Sequence, residues 1–321
     1  MPSTDIYNII LYSFKTSLTY TLKLSIIVLV SMFIMNYIIN TGIMKRVSEI
    51  ILPITKHLNI NTLSMSSILT CLFSPTVGYS ILAEGLKNNK LSEKEVIATS
   101  LANSFPSVIS HTFTFFVPIV IPILGLTGLL FLFIRLGVAF AKTIIGMVYL
   151  NIISKSNNHN NNSEDLQINN MNTNKNLKNS LYSTLKFSKR LIPIMFITMF
   201  LVMFLSNMGV FNHLNNIITP ITNILNLNPN VGLIALTEVI NVQGAIIMAG
   251  GLLNENILNS KEVLIGLVIG NVITLSSRYA KHSLPLHVSL FGVKLGTKIV
   301  MINSIITLLL DILIIGVILL L

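Results

Sequence analysis

The first half of this chain is written again in its second half about 167 residues later, which restricts the fold to one built from two like-folded units. The clearest stretch aligns Asn40 to Asn61, "NTGIMKRVSEIILPITKHLNIN", with Asn207 to Asn228, "NMGVFNHLNNIITPITNILNLN", and ten of the twenty-two positions are identical. Among them are Gly42 with Gly209, Pro53 with Pro220 and Thr55 with Thr222, residue types that an Ile/Leu/Asn-rich chain rarely matches by accident. Further on, Gly78, Ala83 and Gly85 pair with Gly244, Ala249 and Gly251 at an offset of 166, as though one residue had been gained or lost. The offset then returns to 167 for Lys94 to Val96 against Lys261 to Val263, and for Ser110, Pro118 and Gly125 against Ser277, Pro285 and Gly292.

Composition sets the solvent. Hydrophobic residues make up 52%, charged residues 10%, and the mean hydropathy is +0.78; soluble domains carry about 25% charge. The expectation is an all-α, multi-pass protein of the cell membrane with the lipid bilayer as partner. No "GxxxxGK[ST]" phosphate loop occurs, which argues against a nucleotide-driven pump. The net charge of +10 fits basic residues gathered in cytoplasmic loops better than a nucleic-acid partner. Cys71 is the only cysteine, so no intrachain disulfide forms. Lys15 and Lys23 precede an apolar run that ends at "MNYIIN" without an A-x-A-like cleavage site, so it reads as a retained first span.

Segment lengths separate spans from other elements. Leu24 to Ile39 and its counterpart Leu191 to Leu205 read as short first spans, begun by Lys23 and Arg190. Ile43 to Leu58 gathers Ile43, Val47, Ile50, Ile51 and Ile54 near one face, with Lys45, Arg46, Glu49 and Lys56 largely on the other, as an interfacial helix does. Leu63 to Leu86 is apolar but broken at its centre by "SPTVG", residues 74 to 78; Val231 to Leu253 is broken near Asn241, Val242, Gln243 and Gly244.

Loop charge then orients the copies. The interfacial segment and the segment after the broken helix hold Lys45, Arg46, Lys56, Lys87, Lys90 and Lys94 in copy one, but only Lys261 in copy two. Conversely, His111 to Phe131 has no Lys or Arg, whereas Arg278 to Lys298 holds Arg278, Lys281, Lys294 and Lys298. Under the positive-inside rule both flanks of the first broken helix face the cytoplasm, so it enters and leaves on one side as a re-entrant hairpin. The expected fold is two inverted repeats, each of three spans, one interfacial helix and one re-entrant hairpin. In copy one the spans are Leu24 to Ile39, Val96 to Phe113 and Leu126 to Ile153, and the N-terminus lies outside. Residues 1–153 form the first repeat, 154–190 an asparagine-rich flexible cytoplasmic linker, and 191–321 the second, inverted repeat.

Each hairpin is followed by a span rich in small polar residues, "SLANSFPSVISHTF" and "GNVITLSSRYAKHSLPLH". Pro106 and Pro118 argue for local unwinding in the first, and Pro285 for a helix end in the second. Freed backbone groups survive in a membrane only inside protein or along a wet cavity. A solute site is therefore expected where hairpin tips meet these spans. Its candidates are Ser74 and Thr76 at the first tip, and Thr237, Glu238, Asn241 and Gln243 at the second. On the spans they are Asn103, Ser107, Ser110, Asn271, Thr274, Ser276 and Ser277. For any single serine, back-bonding or packing competes with this role. Glu238 is suited to accept a hydrogen bond from the solute or to bind a coupling proton or sodium ion. Arg135 and Asp311 lie in the last spans of their copies, where an ion pair or snorkelling competes with function. No "HExxH" metal spacing and no "GxSxG" elbow occurs, and neither enzyme activity nor a cofactor is expected.

The order span, interfacial helix, hairpin, unwound span, span, together with "SPTVGYSILAEG", "NVQGAIIMAGG" and the Pro285 to Gly292 element, resembles the nucleoside-recognition, or Gate, family. In wider architecture it is similar to the core of concentrative nucleoside transporters. That resemblance implies two hairpins and unwound spans holding a nucleoside and a coupling cation. The first tip departs from those carriers, with Ser74, Pro75, Thr76 and Val77 in place of Gly, Gln, Thr and Glu. Two functions follow: a secondary transporter of a small polar, nucleoside-like solute, or a membrane scaffold of the spore-maturation type. A polar cavity with inward-facing charges marks the first, a sealed apolar interface the second. A homo-oligomer is compatible with either.

Overall fold

Why the chain is helical follows from its solvent, since a backbone in lipid must satisfy its own hydrogen bonds. The structure, a computed structural model, describes residues 3–40, 60–156, 177–208, 227–278 and 283–320. Among them no strand occurs. The first copy runs α1 (Ser3–Asn40), α2 (Thr62–Cys71), α3 (Pro75–Lys87), α4 (Glu93–Ala102), α5 (Ser104–His111), a π-helical stretch Thr112–Val120, α6 (Ile121–Leu124) and α7 (Leu126–Ser156). The second runs α8 (Leu177–Asn207), α9 (Asn230–Ile240), α10 (Val242–Asn254), α11 (Ser260–Arg278) and α12 (Leu284–Leu320).

Four described stretches are long and apolar enough to cross a membrane: Ile6–Ile34, Glu93–Leu124, Leu126–Ile153 and Leu284–Leu320. The chain is a multi-pass membrane protein. Two further spans were expected in the second copy. One, Leu191 to Leu205, falls within α8; the other falls in α11, whose 19 residues include Lys261, Glu262 and Arg278 and are correspondingly less apolar. Residues 154–156 and 177–190, expected as linker, are helical as the ends of α7 and α8, because Ser180, Thr184 and Ser188 give this stretch a buried face every fourth residue. The interfacial helix Ile43 to Leu58 and the rest of the linker lie outside the described residues.

The duplication extends to single hydrogen bonds. Asn61 Nδ2 donates to the Lys90 carbonyl at 3.1 Å, and Asn228 Nδ2 to the Ile257 carbonyl at 3.3 Å. Each of these asparagines also accepts from the backbone N–H two residues on, at 2.9 and 3.0 Å. Ser92 and Glu95 cap α4 reciprocally, and Asn259 and Glu262 do the same for α11. Ser74 (φ −153°, ψ 108°) and Asn241 (φ −156°, ψ 121°) are the extended residues at the two helix breaks. Asn89 and Asn256 share φ 55°, and Gly125 and Gly292 both have positive φ, 58° and 77°, where a side chain would be strained. All these pairs are 167 apart. The one-residue slip expected around Gly78 and Gly244 is thus absent from the backbone: the turns stay in register and the glycines are displaced.

Pro75, Pro106 and Pro285 stand where helices begin. Pro75 and Pro285 sit in the first turns of α3 and α12, where a missing N–H costs nothing. Pro106 likewise lies in the first turn of α5, and the helix is interrupted before it, at Asn103. The interruption is filled by α7, where the Thr143 hydroxyl accepts from Phe105 N–H and donates to the Ala102 carbonyl, both at 3.0 Å. A Cβ at Gly146 would lie 2.7 Å from the Ala98 carbonyl, so glycine permits this close crossing. Pro118 is absorbed in the π-helical stretch.

The largest core cluster joins the copies, packing Leu24 and Val28 of α1 and Ile119 and Val120 with Met195 and Met199 of α8, Ile246 and Met248 of α10, and Ile265 of α11. A second holds α2, α4 and α7 together, and a third seats α3 and α4 against Phe291, Leu295 and Ile299 of α12.

Candidate functional site

A cavity of about 400 Å³ opens between the copies. Helical periodicity builds three of its walls. From α5 come Ser104, Ser107, Val108 and His111; from α7 come Arg135, Val138, Ala139 and Lys142, with the same i, i+3, i+4, i+7 spacing. From α12 come Val300, Asn303 and Thr307. Pro75 and Tyr79 of α3, Asn271 of α11, and Ser283, Leu286 and His287 complete it.

The charges of the site are held across the copies. Arg135 Nη1 of α7 lies 2.8 Å from Asp311 Oδ1 of α12, whose side chain has no exposure. Asn271 of α11 donates to the other carboxylate oxygen, so both acceptor atoms of Asp311 are used. One turn deeper, Lys142 Nζ donates to Thr307 Oγ1 at 3.1 Å, and Thr307 donates to the Asn303 carbonyl at 2.7 Å. Asn303 Nδ2 in turn reaches Ser100 Oγ and the Ile299 carbonyl, both at 3.1 Å. His287 Nδ1 lies 2.8 Å from the Ser283 carbonyl, which requires the proton on Nδ1 and leaves Nε2 as the acceptor of the neutral ring. Its ring meets Tyr79 edge to face at 4.5 Å. Such an array can orient a polar solute in a low-dielectric surrounding, where each hydrogen bond is worth more than in water.

Of the candidates read from sequence, Ser107 and Asn271 line this cavity, and Ser74 adjoins its lining residue Pro75. Thr76 is exposed one turn from Ser80, whose hydroxyl bonds back to it. Asn103 is buried and donates to Ser67 Oγ at 3.0 Å, tying the break in the α4–α5 helix to α2. Ser110 is buried, and Thr274 bonds back to the Asn271 carbonyl at 3.3 Å. The side chains of Ser276 and Ser277 lie outside the described residues. The second tip is not among the lining residues. Thr237 bonds back to Leu233 at 2.7 Å, and Asn241 uses its side chain to cap α10, accepting from Gln243 N–H at 2.8 Å and Gly244 N–H at 3.3 Å. Gln243 is half-buried beside it. Glu238 is buried against Gly270, where even a methyl group would collide with its carboxylate. The cavity is thus lined from the first helix break and from α5, α7, α11 and α12, without residues of the second break.

Lys142, Asn303, Thr307, Tyr79 and His287 were not among the candidates. The sequence carried a signal for the first three: Lys142 falls two turns after Arg135, and Asn303 and Thr307 precede Asp311 at four-residue steps. Among the described residues no group of three or more His, Cys, Asp or Glu is placed to hold a metal ion.

Comparison with known proteins bears on the same region. The model of the family described as nucleoside recognition, Gate, matches residues 21–127, within the first copy. The uncharacterized protein MJ0871 of Methanocaldococcus jannaschii is 64% identical over 95% of this chain and 95% of its own length. Two more from that organism, the uncharacterized proteins MJ0880 and MJ1556, are 30% and 27% identical, covering 93% and 88% of this chain and 97% and 89% of their own. No solved structure matches.

Proposed function

Because the chain belongs to the nucleoside-recognition, or Gate, family, we propose that it is a secondary transporter of a small polar solute, working by alternating access at the cavity between its copies. The observation that carries this proposal is the cavity itself. In a chain with 10% charged residues, two cations, Arg135 and Lys142, line a cavity of about 400 Å³ that both copies build, and Asp311 pairs with the first from behind the wall. Charged groups are costly in a membrane interior and are placed there for a substrate, an ion path or a structural pair. A scaffold needs only a sealed apolar interface, which this is not.

The inverted arrangement belongs to the same proposal. The two copies repeat each other's caps and turns, while their loops carry opposite Lys/Arg bias, as expected if one lies upside down relative to the other. On this basis α2–α3 and α9–α10 are re-entrant hairpins entering from opposite faces. With the first break bordering the cavity, movement of the α2–α3 hairpin gates it.

The test is a thermal-shift screen of the purified protein with nucleosides, nucleobases, organic acids and sodium, run on the wild type and on Ser107→Trp, which fills the cavity. A ligand at 100 times its dissociation constant stabilises by about 2.7 kcal/mol. Protection of the wild type but not of Ser107→Trp is expected; identical responses from both would remove the cavity as the site.

A further inference from the structure

Resting on that transporter reading, we propose that the solute held in the cavity carries one negative charge of the carboxylate type, and that Lys142 binds it. Lys142 is 7% exposed, and its ammonium, with three donors, makes one hydrogen bond, to the Thr307 hydroxyl. A hydroxyl is a poor counter-ion for a buried cation, which needs pairing as well as hydrogen bonds. The carboxylate of Asp311, one turn along α12 from Thr307, is already committed to Arg135 and Asn271 and has no exposure. No Asp or Glu lines the cavity among the described residues. With His111 and His287 counted as neutral, Arg135 and Lys142 against Asp311 leave one positive charge among the described residues of the site.

That balance selects the ligand. A monoanion neutralises the site, a neutral solute is matched only if Lys142 gives up its proton, and a dianion adds a charge that no second free cation among the described residues meets. Because the Arg135 guanidinium is occupied by Asp311, the remaining charge is the compact ammonium of Lys142, suited to a single carboxylate. The remaining polar side chains on the walls, Ser107 and His287 among them, are neutral hydrogen-bonding groups for the rest of a small organic anion.

The experiment uses two water-soluble methanethiosulfonate reagents, one bearing a sulfonate and one a trimethylammonium group, on Ser107→Cys in a Cys71→Ala background. Rates are divided by those at the exposed position Asn88→Cys, which cancels intrinsic reactivity. The anionic reagent is expected to be favoured on the order of tenfold at Ser107→Cys, and Lys142→Met or Lys142→Gln to bring the ratio within about twofold of unity. Equal rates, a preference for the cation, or a ratio unchanged in both Lys142 variants would overturn the anion assignment while leaving a wet cavity in place. If neither reagent modifies Ser107→Cys while both modify Asn88→Cys, the cavity is closed to water, and the transporter reading falls together with the inference. The charge preference in the Lys142-intact protein decides the sign even if a Lys142 variant fails to fold.

Discussion

Arg135 of α7 and Asp311 of α12 form an ion pair at 2.8 Å that joins the last helix of one copy to the last helix of the other. Its partner Asp311 is wholly buried, so removing either side chain leaves a charge without compensation. Arg135→Ala or Asp311→Ala is expected to destabilise the protein by about 3–5 kcal/mol, and replacing both with apolar residues of similar volume to recover most of that loss. Denaturant titration of the single and double variants in detergent checks this. Additive losses in the double variant would mean that the pair is not coupled.

Thr143 occupies a second junction, between α7 and the interruption at Asn103. Thr143→Val removes the one group that serves both the Phe105 N–H and the Ala102 carbonyl, at an expected cost of about 1–3 kcal/mol. Thr143→Ser keeps the hydroxyl and should retain most of the stability. Equal melting of the two variants would show that the break does not depend on this hydroxyl.

The paired left-handed residues test the duplication at the level of single turns. Asn89→Val and Asn256→Val are each expected to cost about 1–2 kcal/mol, since both positions hold φ 55°, while Asn→Gly at either is tolerated. Thermal melts should give matched losses in the two copies. A loss at one position alone would mean that the turns are equivalent in shape but not in strain.

Much of this fold was legible because turns and caps are local. Asn61 and Asn228, the breaks near Ser74 and Asn241, and the glycines at 125 and 292 all follow from residue type and spacing. The register around Gly78 was misread because shared glycines attract an alignment, whereas the backbone keeps its turns at a constant separation and lets a glycine move by one residue. The helical stretch of 177–190 was hidden behind the neighbouring asparagines. The cavity was less legible still. For Arg135 and Asp311 an ion pair was one of the readings left open, but Lys142 gains its meaning only when α7 meets α12, and that meeting of faces from opposite copies is a tertiary fact. Glu238 and Asn241 carried the strongest local signal for a site, yet one is packed over Gly270 and the other spends its side chain on a helix cap.

Substitution at the second tip should therefore separate stability from binding. Asn241→Ala is expected to cost about 0.5–2 kcal/mol through loss of the α10 cap. Neither it nor Gln243→Ala should change the affinity for a ligand found in the screen. Calorimetry on the folded variants checks this, and a tenfold weakening by Gln243→Ala would return the second tip to the site.

Alternating access requires the cavity between the copies to open to water on each side of the membrane in turn. Ala139→Cys, a small change on the cavity wall, and Leu313→Cys, on the outward apolar face of α12, are placed separately in a Cys71→Ala background and labelled in sealed, oriented vesicles. A membrane-impermeant thiol reagent added from either face is expected to modify Ala139→Cys and to spare Leu313→Cys. Modification of Ala139→Cys from one face alone, or from neither, would contradict alternating access.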